Sequence, residues 1–328
     1  MMNRNLAIAA GLLASAVSLT ALKVSAQDVS GDVLADGSST VGPVTIAAAE
    51  AFQAVAPSVN VSVGTSGSGG GFTKFCAGET DISNASRPIK ESEMEECAAS
   101  GIEFVEIPVA FDGLAVVTSA GNDFAQCLTT EQLNFIWNAD AEGAVTSWAD
   151  VDGAGYPDVP FELFAPGVDS GTFDYFSEAI LDEDDIRADF TASEDDNVLV
   201  TGVAGSEGGL GFFGLAFYEE NKDILNVVAI DGGDGCVAPS AETVENGTYV
   251  PLARPLFIYV NAAAAEEKPQ VAAFVDYYLE NATELSTSVG YIGLPAEAYS
   301  SITEYWESRG AGSNFQDVAP GTPIGELF

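Results

Sequence analysis

The sequence predicts an α/β fold, and three observations support this prediction. Segments with strand character alternate with segments of helical spacing along the chain. The 328 residues are 47% hydrophobic, which is enough for a large core and for two lobes. Three strand-to-helix junctions carry Ser, Thr and Gly. Because such sheets bind ligands at the carboxyl ends of their strands, these junctions are expected to share one site.

The elements follow from short apolar runs and from helical spacing between turn residues. Pro43 fits the first turn of the first helix, Asp112 separates two strand-like runs, and Asp169 is a good N-cap for a later helix. The predicted strands span 33–36, 59–63, 81–85, 101–111, 113–118, 161–165, 256–260 and, as a strand or turn, 291–295; residues 205–214 form a turn into a strand. The predicted helices span 41–55, 72–77, 90–99, 128–137, 173–181, 197–204, 271–279 and 300–308.

Residues 1–26 are predicted to be a secretory signal peptide. Arg4 supplies the positive charge, residues 6–22 form an apolar core, and residues 24–26 form a small-residue cleavage site. A membrane anchor is the alternative, but Ser and Thr interrupt an apolar run that is barely long enough to span a bilayer. The mature chain is therefore expected to begin near Gln27 and to be periplasmic or secreted.

Four cysteines remain in the exported chain, and an even number outside the cytoplasm favours disulfides over free thiols. Three pairings are possible. Chain proximity favours Cys76–Cys97, and elimination then gives Cys127–Cys236. No Cys-x-x-Cys spacing suggests zinc, and neither a metal nor a cofactor is expected.

The charge balance excludes several classes of function. Ten Lys and Arg stand against 50 Asp and Glu, for a net charge of −40. Residues 27–328 carry −42, because the predicted signal peptide holds two basic residues and no acid. Such a chain is not expected to bind nucleic acid. It contains no histidine, which excludes a Ser-His-Asp nucleophile, a His-ligated metal and His acid–base chemistry.

The acids are dispersed over a chain of ordinary hydrophobicity, so they indicate a hydrated acidic surface and not a disordered tail. Two runs, 182–185 and 194–196, resemble calcium loops only loosely. Solvated loops are the preferred interpretation of both runs.

The glycine-rich stretch 64–72 is the strongest candidate for a ligand site. An apolar run precedes it and a helical pattern follows, so its backbone N–H groups would lie at the positive end of a helix dipole. Such an arrangement binds anions without lysine. A flexible linker is the alternative for an isolated Gly/Ser run. Similar polar junctions at 37–40 and 166–172 favour the anion site.

The sequence resembles the periplasmic phosphate-binding proteins, which are the solute-binding components of bacterial phosphate ABC transporters. The resemblance rests on segments in the family's order and covers nearly the whole mature chain. Asn-Ala-Ser-Arg-Pro-Ile at 84–89 and Asp-Ser-Gly-Thr-Phe-Asp-Tyr-Phe at 169–176 resemble the cyanobacterial-type branch. The matching segments span 37–43, 64–72, 81–89, 169–172 and 208–212.

This resemblance implies the two-lobed periplasmic solute-binding protein fold of type II, in which each lobe is a sheet flanked by helices and hinge strands join the lobes. Lobe one would comprise 27–110 plus 255–328, lobe two would comprise 111–254, and the chain would cross near Asp112 and Arg254. The implied phosphate contacts are Ser39, Thr40, Ser66, Ser68, Gly69, Gly70, Ser170, Gly171 and Thr172.

Two departures from the family pattern concern charged groups. Some members place an aspartate, which accepts a proton of hydrogen phosphate, where Ser86 stands here, and Ser86 is expected to contact the ligand in its place. Some place an arginine where this chain has Pro166. Arg87 is expected to supply that charge, since guanidinium binds oxyanions in a fork, and a salt bridge to an acid is the alternative. Asp169 could accept the ligand proton or act only as a helix N-cap.

The implied function is binding of inorganic phosphate and its delivery to ABC permease subunits by a monomer that is not an enzyme. A binding protein for sulfate or molybdate is one alternative. A secreted hydrolase using Ser170 is another, but without histidine it would need Lys74 or Lys90 as the base. A calcium-loaded surface domain built on the acid runs is the third.

Overall fold

The computed structural model describes residues 29–168, 170–182, 185–316, 318 and 322–328. The predicted signal peptide, the predicted first mature residue Gln27 and the predicted site residue Asp169 lie outside these described residues. Within the described ranges, no helix is both long and apolar enough to cross a membrane.

The described part of the chain contains one large mixed sheet and one small sheet. The strands are β1 Gly31–Gly37, β2 Val59–Val63, β3 Ile82–Ala85, β4 Phe104–Ser119, β5 Cys127–Thr129, β6 Glu162–Ala165, β7 Thr191–Ala192, β8 Gly209–Gly214, β9 Leu225–Val227, β10 Ala229–Asp231, β11 Cys236–Val237 and β12 Ala253–Asn261. The strand order in the large sheet is β2-β1-β3-β12-β4-β8-β6-β7, with β9 paired to β4, and the small sheet has the order β11-β10-β5.

Helices alternate with these strands and flank the sheet, so the predicted α/β class is confirmed. The strands β1, β2 and β3 are parallel, as expected where helices cross between them. The helices are α1 Gly42–Val55, α2 Gly67–Cys76, α3 Glu91–Ala99, α4 Thr130–Trp137, α5 Gly171–Leu181, α6 Asp196–Gly205, α7 Leu215–Asn221, α8 Ala241–Glu245, α9 Ala262–Glu267, α10 Pro269–Glu280, α11 Ala282–Ser288 and α12 Ala296–Glu307.

A single long strand joins the two halves of the large sheet. The strand β4 is 16 residues long and buried throughout, so the prediction of two strands separated by Asp112 was wrong. It pairs with β12 from Phe104 to Gly113 and with β8 from Leu114 to Thr118. Asp112 stays within the strand because its register partner on β12 is Arg254, whose Nε lies 3.3 Å from its carboxylate. The pairing partner of β4 therefore changes from β12 to β8 two residues beyond this ion pair.

The helix α2 begins five residues earlier than the sequence predicted. Its first turn is the glycine run itself, and a Cβ added at Gly71 would lie 2.5 Å from the Cα of Gly37. Because Gly71 has no side chain, the helix can pack directly on the end of β1. The predicted loop 64–72 is therefore half loop and half helix.

The cysteines form the two disulfides favoured from the sequence. Cys76 at the end of α2 is joined to Cys97 in α3, beside a cluster that includes Phe72, Phe75 and Tyr259. Cys127 in β5 is joined to Cys236 in β11, which closes the small sheet across β10.

The acid run 194–196 lies at the start of α6, and its neighbouring carboxylates repel one another. The N-cap is Asp195, whose carboxylate accepts a bond from the backbone N–H of Asn197 at 3.0 Å. Burial, together with Asp195 and Glu194, raises the pKa of Asp196 to about 6. Across the described ranges, no group of three or more His, Cys, Asp or Glu is placed to hold a metal ion.

The Asp196→Asn variant is expected to be more stable than the natural chain at pH 8. A carboxyl whose folded-state pKa is raised destabilises the fold wherever the unfolded chain ionises it more readily, so its penalty grows as pH rises from the usual 3.8 to about 6 and is complete above that. After allowance for partial exposure, the gain at pH 8 should be about 1–2 kcal/mol. Urea denaturation at pH 4 and pH 8 measures this gain, which should be small at pH 4, and an equal gain at both pH values would rule out the ionisation of Asp196 as its cause.

Candidate anion-binding site

A polar cavity of about 460 Å³ lies where α1, α2, the end of β3 and α5 come together. It is lined by Ser38, Ser39, Thr40, Gly67, Ser68, Gly69, Ser86, Arg87, Lys90, Asp174, Ser177, Glu178 and Arg254. Six of the predicted site residues are thus brought together, namely Ser39, Thr40, Ser68, Gly69, Ser86 and Arg87.

The turn from β1 into α1 forms one wall of the cavity. Gly37 has a φ of +139°, and a Cβ there would lie 2.1 Å from the carbonyl oxygen of Asn84, so only glycine fits. The turn that follows is held by Ser38, whose hydroxyl accepts a bond from the backbone N–H of Thr40 at 3.2 Å. The side chain of Thr40 is buried, and its hydroxyl accepts a bond from Arg254.

The start of α2 forms a second wall, and its backbone N–H groups are available to a ligand. The helix has no side-chain N-cap bond, so the N–H groups at Gly67, Ser68 and Gly69 make its start a positive end. Ser68 also ties this turn to β3, because its hydroxyl accepts a bond from the backbone N–H of Ser86 at 3.1 Å. The two serine hydroxyls are 3.3 Å apart and hydrogen-bonded to each other, and both residues line the cavity.

Ser66 and Gly70 lie next to this wall and support it, but they do not line the cavity. The hydroxyl of Ser66 donates to Asp36 at 2.5 Å, and Lys74 reaches the same carboxylate at 2.6 Å. Burial alone would raise the pKa of Asp36, but the bonds from Lys74 and Ser66 outweigh it and lower the pKa below its usual value. A Cβ at Gly70 would lie 2.8 Å from the hydroxyl oxygen of Ser66, so this glycine makes room for the Ser66 bond.

Arg87 lies in the cavity wall, and its guanidinium is already paired. It donates from Nη1 and Nη2 to the two carboxylate oxygens of Glu93, at 2.9 and 2.7 Å. This fork raises the pKa of Arg87. Its Nη2 lies 3.9 Å from the position of a Cβ at Gly69 and therefore stands beside the start of α2. The arrangement combines the salt bridge and the cavity position that the sequence left as alternatives.

The start of α5 approaches the α1 wall from the opposite side. Its N-cap is Ser170, whose hydroxyl accepts a bond from the N–H of Thr172 at 3.2 Å, so the prediction of Asp169 as the cap was wrong. A hydroxyl at Ser170 already satisfies the helix end. A Cβ at Gly171 would lie 2.5 Å from the hydroxyl oxygen of Thr40, which shows how closely the two walls meet. Ser170, Gly171 and Thr172 lie beside the cavity and outside its lining.

The sequence analysis missed several residues that line the cavity. Asp174, Ser177 and Glu178 stand three and four positions apart on α5 and therefore share one face, a spacing that could have identified them. Burial raises the pKa of Asp174, against the opposing effect of Arg254. Arg254 was predicted only as a crossing point of the chain, because its contact with Thr40 joins residues 214 positions apart.

The cavity concentrates the few basic residues of this acidic chain. Ten Lys and Arg are present, and two of them belong to the predicted signal peptide. Of the other eight, Arg87, Lys90 and Arg254 line this cavity. Such a clustering, next to two helix starts, suits a small anion.

A polar cavity where two halves of one mixed sheet meet is the architecture of a periplasmic solute-binding protein. A family model described as the PBP superfamily domain matches residues 23–282. The chain is 51% identical over 284 residues to Protein SphX of Synechococcus elongatus, covering 86% of this chain and 83% of that protein.

Two further similar proteins are described as phosphate-binding or possibly phosphate-binding. The chain is 39% identical over 270 residues to the phosphate-binding protein PstS of Staphylococcus saprophyticus, covering 82% of each. The crystal structure of a possible phosphate binding protein from Planctomyces limnophilus aligns with a TM-score of 0.81 at 44% identity, over 86% of this chain and 99% of that one. The chain therefore belongs to the PBP superfamily, in the family of the SphX and PstS proteins. Both the resemblance and its cyanobacterial-type branch are confirmed.

Proposed function

We propose that this chain binds inorganic phosphate outside the cytoplasmic membrane and delivers it to the permease subunits of an ABC importer. In this role it acts as a monomer and not as an enzyme. The observation that carries the proposal is the cavity, in which two helix starts, serine and threonine hydroxyls and three cations face one space. The PstS relative, whose name states phosphate binding, supports the choice of anion.

The anion would be held mainly by short-range donors. The hydroxyls of Ser39, Ser68 and Ser86 and the N–H groups at the start of α2 surround the space beside Arg87. Neutral donors bind an anion without the strong hydration that a lysine carries. Ser66 and Gly70 would support this wall.

The second half of the sheet would complete the site when the two lobes close. The proposed lobes are 27–110 plus 255–328 and 111–254, with the crossings at Asp112 and Arg254. Since Ser170, Gly171 and Thr172 begin a helix that already contacts Thr40, a small shift of α5 would bring their donors onto the anion. This part of the proposal assigns those three residues as ligand contacts.

The hydrolase alternative has little support in the geometry. The hydroxyl of Ser170 already serves as a helix cap, and Lys74, one of the two candidate bases, is paired with Asp36 at 2.6 Å. Lys90 lies in the cavity wall on the α3 side. A phosphatase assay on residues 27–328 is expected to show no turnover above that of a Ser170→Ala variant.

Isothermal titration of residues 27–328 with phosphate, arsenate, sulfate and molybdate tests the proposed function. We expect tight one-to-one binding of phosphate and of arsenate, which has the same shape and protonation, and much weaker binding of the other two anions. A higher affinity for sulfate or molybdate than for phosphate would show that the site serves another oxyanion. The absence of binding by all four anions would refute an oxyanion site.

A further inference from the structure

Arg254 occupies the point where the chain passes between the two halves of the sheet. It stands on β12 directly opposite Asp112 on β4, in the antiparallel pairing of these strands. Two residues further along β4, the pairing partner changes from β12 to β8. A side chain at this position can therefore contact elements from both halves of the sheet.

The three guanidinium nitrogens of Arg254 contact three different elements. Nε donates to Asp112 on β4 at 3.3 Å, Nη1 donates to Glu178 on α5 at 3.2 Å, and Nη2 donates to the hydroxyl of Thr40 before α1 at 3.2 Å. The Cζ atom of the group lies 3.6 Å from the ring centroid of Tyr175. The ring supports the guanidinium by a cation–π contact, and Nη2 bonds Thr40, which lines the cavity together with Arg254.

These contacts leave Arg254 able to accept a further anion. Its distances to two carboxylates are 3.2 and 3.3 Å, whereas Arg87 holds Glu93 at 2.7 and 2.9 Å. The side chain of Glu178 is 51% exposed, so water competes for its oxygens. The contact with Thr40 is to a neutral hydroxyl. A small anion could therefore take Nη1 and Nη2 together in the bidentate geometry that guanidinium prefers.

We propose that Arg254 binds the anion directly, together with Thr40. The inference rests on the proposed function of the cavity. Its contacts with β4, α5 and the turn before α1 place Arg254 where these elements meet at the cavity. The anion would replace Glu178 at Nη1.

Phosphate titration of four variants of residues 27–328 tests this role. Lysine cannot form the bidentate contact, so Arg254→Lys is expected to bind phosphate at least about tenfold more weakly. Arg309→Lys is the matched control. Arg309 also stacks on an aromatic ring, with its Cζ 3.8 Å from the ring centroid of Trp306, but it does not line the cavity. Glu178→Gln removes the competing carboxylate and is expected to tighten binding by about two- to fivefold at low salt.

The double variant Arg254→Lys/Glu178→Gln separates a direct contact from a general effect of charge. If Glu178 acts by occupying Arg254, the gain from Glu178→Gln should shrink when Arg254 is lysine. An equal gain in both backgrounds would overturn the proposal. So would natural affinity in Arg254→Lys, or an equal loss in Arg309→Lys.

The natural chain measured in the same series keeps the two questions apart. If the natural chain binds no phosphate, the proposed function fails. If it binds phosphate and all four variants bind with the same affinity, only the role proposed for Arg254 fails. A thermal melt accompanies each titration. If Arg254→Lys is unfolded at the assay temperature, Glu178→Gln alone decides, and an unchanged or lower affinity in that variant would overturn the proposal.

Discussion

Phosphate affinity is expected to fall by about 2–5 kcal/mol when Arg87 is replaced by alanine. The substitution removes a cation from the cavity wall, and it also leaves the carboxylate of Glu93 without the fork that now neutralises it. The side chain of Glu93 is only 13% exposed, so the uncovered charge would repel the ligand with little screening. Isothermal titration of Arg87→Ala against the natural chain measures the loss.

A second variant separates the two causes of this loss. In Arg87→Ala/Glu93→Gln the unpaired carboxylate is gone, so any affinity still missing reports the cation itself. Arg87→Lys should recover only part of the affinity, because lysine is a point charge without a planar fork. Unchanged phosphate affinity in Arg87→Ala would mean that Arg87 serves only as the partner of Glu93.

Loss of the Cys127–Cys236 disulfide is expected to cost the chain about 4.7 kcal/mol of unfolding free energy. The two cysteines are 109 positions apart, so the bond removes much of the freedom of a long loop in the unfolded chain. Urea denaturation of Cys127→Ala/Cys236→Ala measures the change.

The other disulfide provides the matched control. Cys76 and Cys97 are only 21 positions apart, and Cys76→Ala/Cys97→Ala should cost about 3 kcal/mol from loop entropy. Both cysteines of this pair are buried, so a small loss of packing adds to that cost. A larger loss for the short loop than for the long one would show that native packing and not loop entropy dominates.

The sequence was most informative where chemistry and chain order coincide. The run that contains Ser86 and Arg87 was identified because a predicted buried strand ends there in one of the few basic residues, and the structure places both in the cavity wall. The glycines before Phe72 were identified as the segment that leads into a helix, and the structure includes them in the first turn of that helix. In both cases, the signal lies within ten residues of the chain.

The sequence was least informative where a contact joins distant segments. Arg254 is one arginine in an apolar strand, and its pairing with Asp112 across β4 and β12 depends on strand register. Asp112 was taken for a break between strands because a lone aspartate is unfavourable in a buried strand. Its partner lies 142 positions away, and that distance hides the ion pair that makes the residue acceptable there.

A crystal structure of residues 27–328 grown with phosphate tests the proposed site most directly. We expect one tetrahedral anion in the cavity, within hydrogen-bond distance of Ser39, Thr40 and the N–H groups at the start of α2, with the guanidinium of Arg87 beside it. An anion bound elsewhere, or a cavity occupied only by water at saturating phosphate, would contradict the assignment of this cavity as the phosphate site.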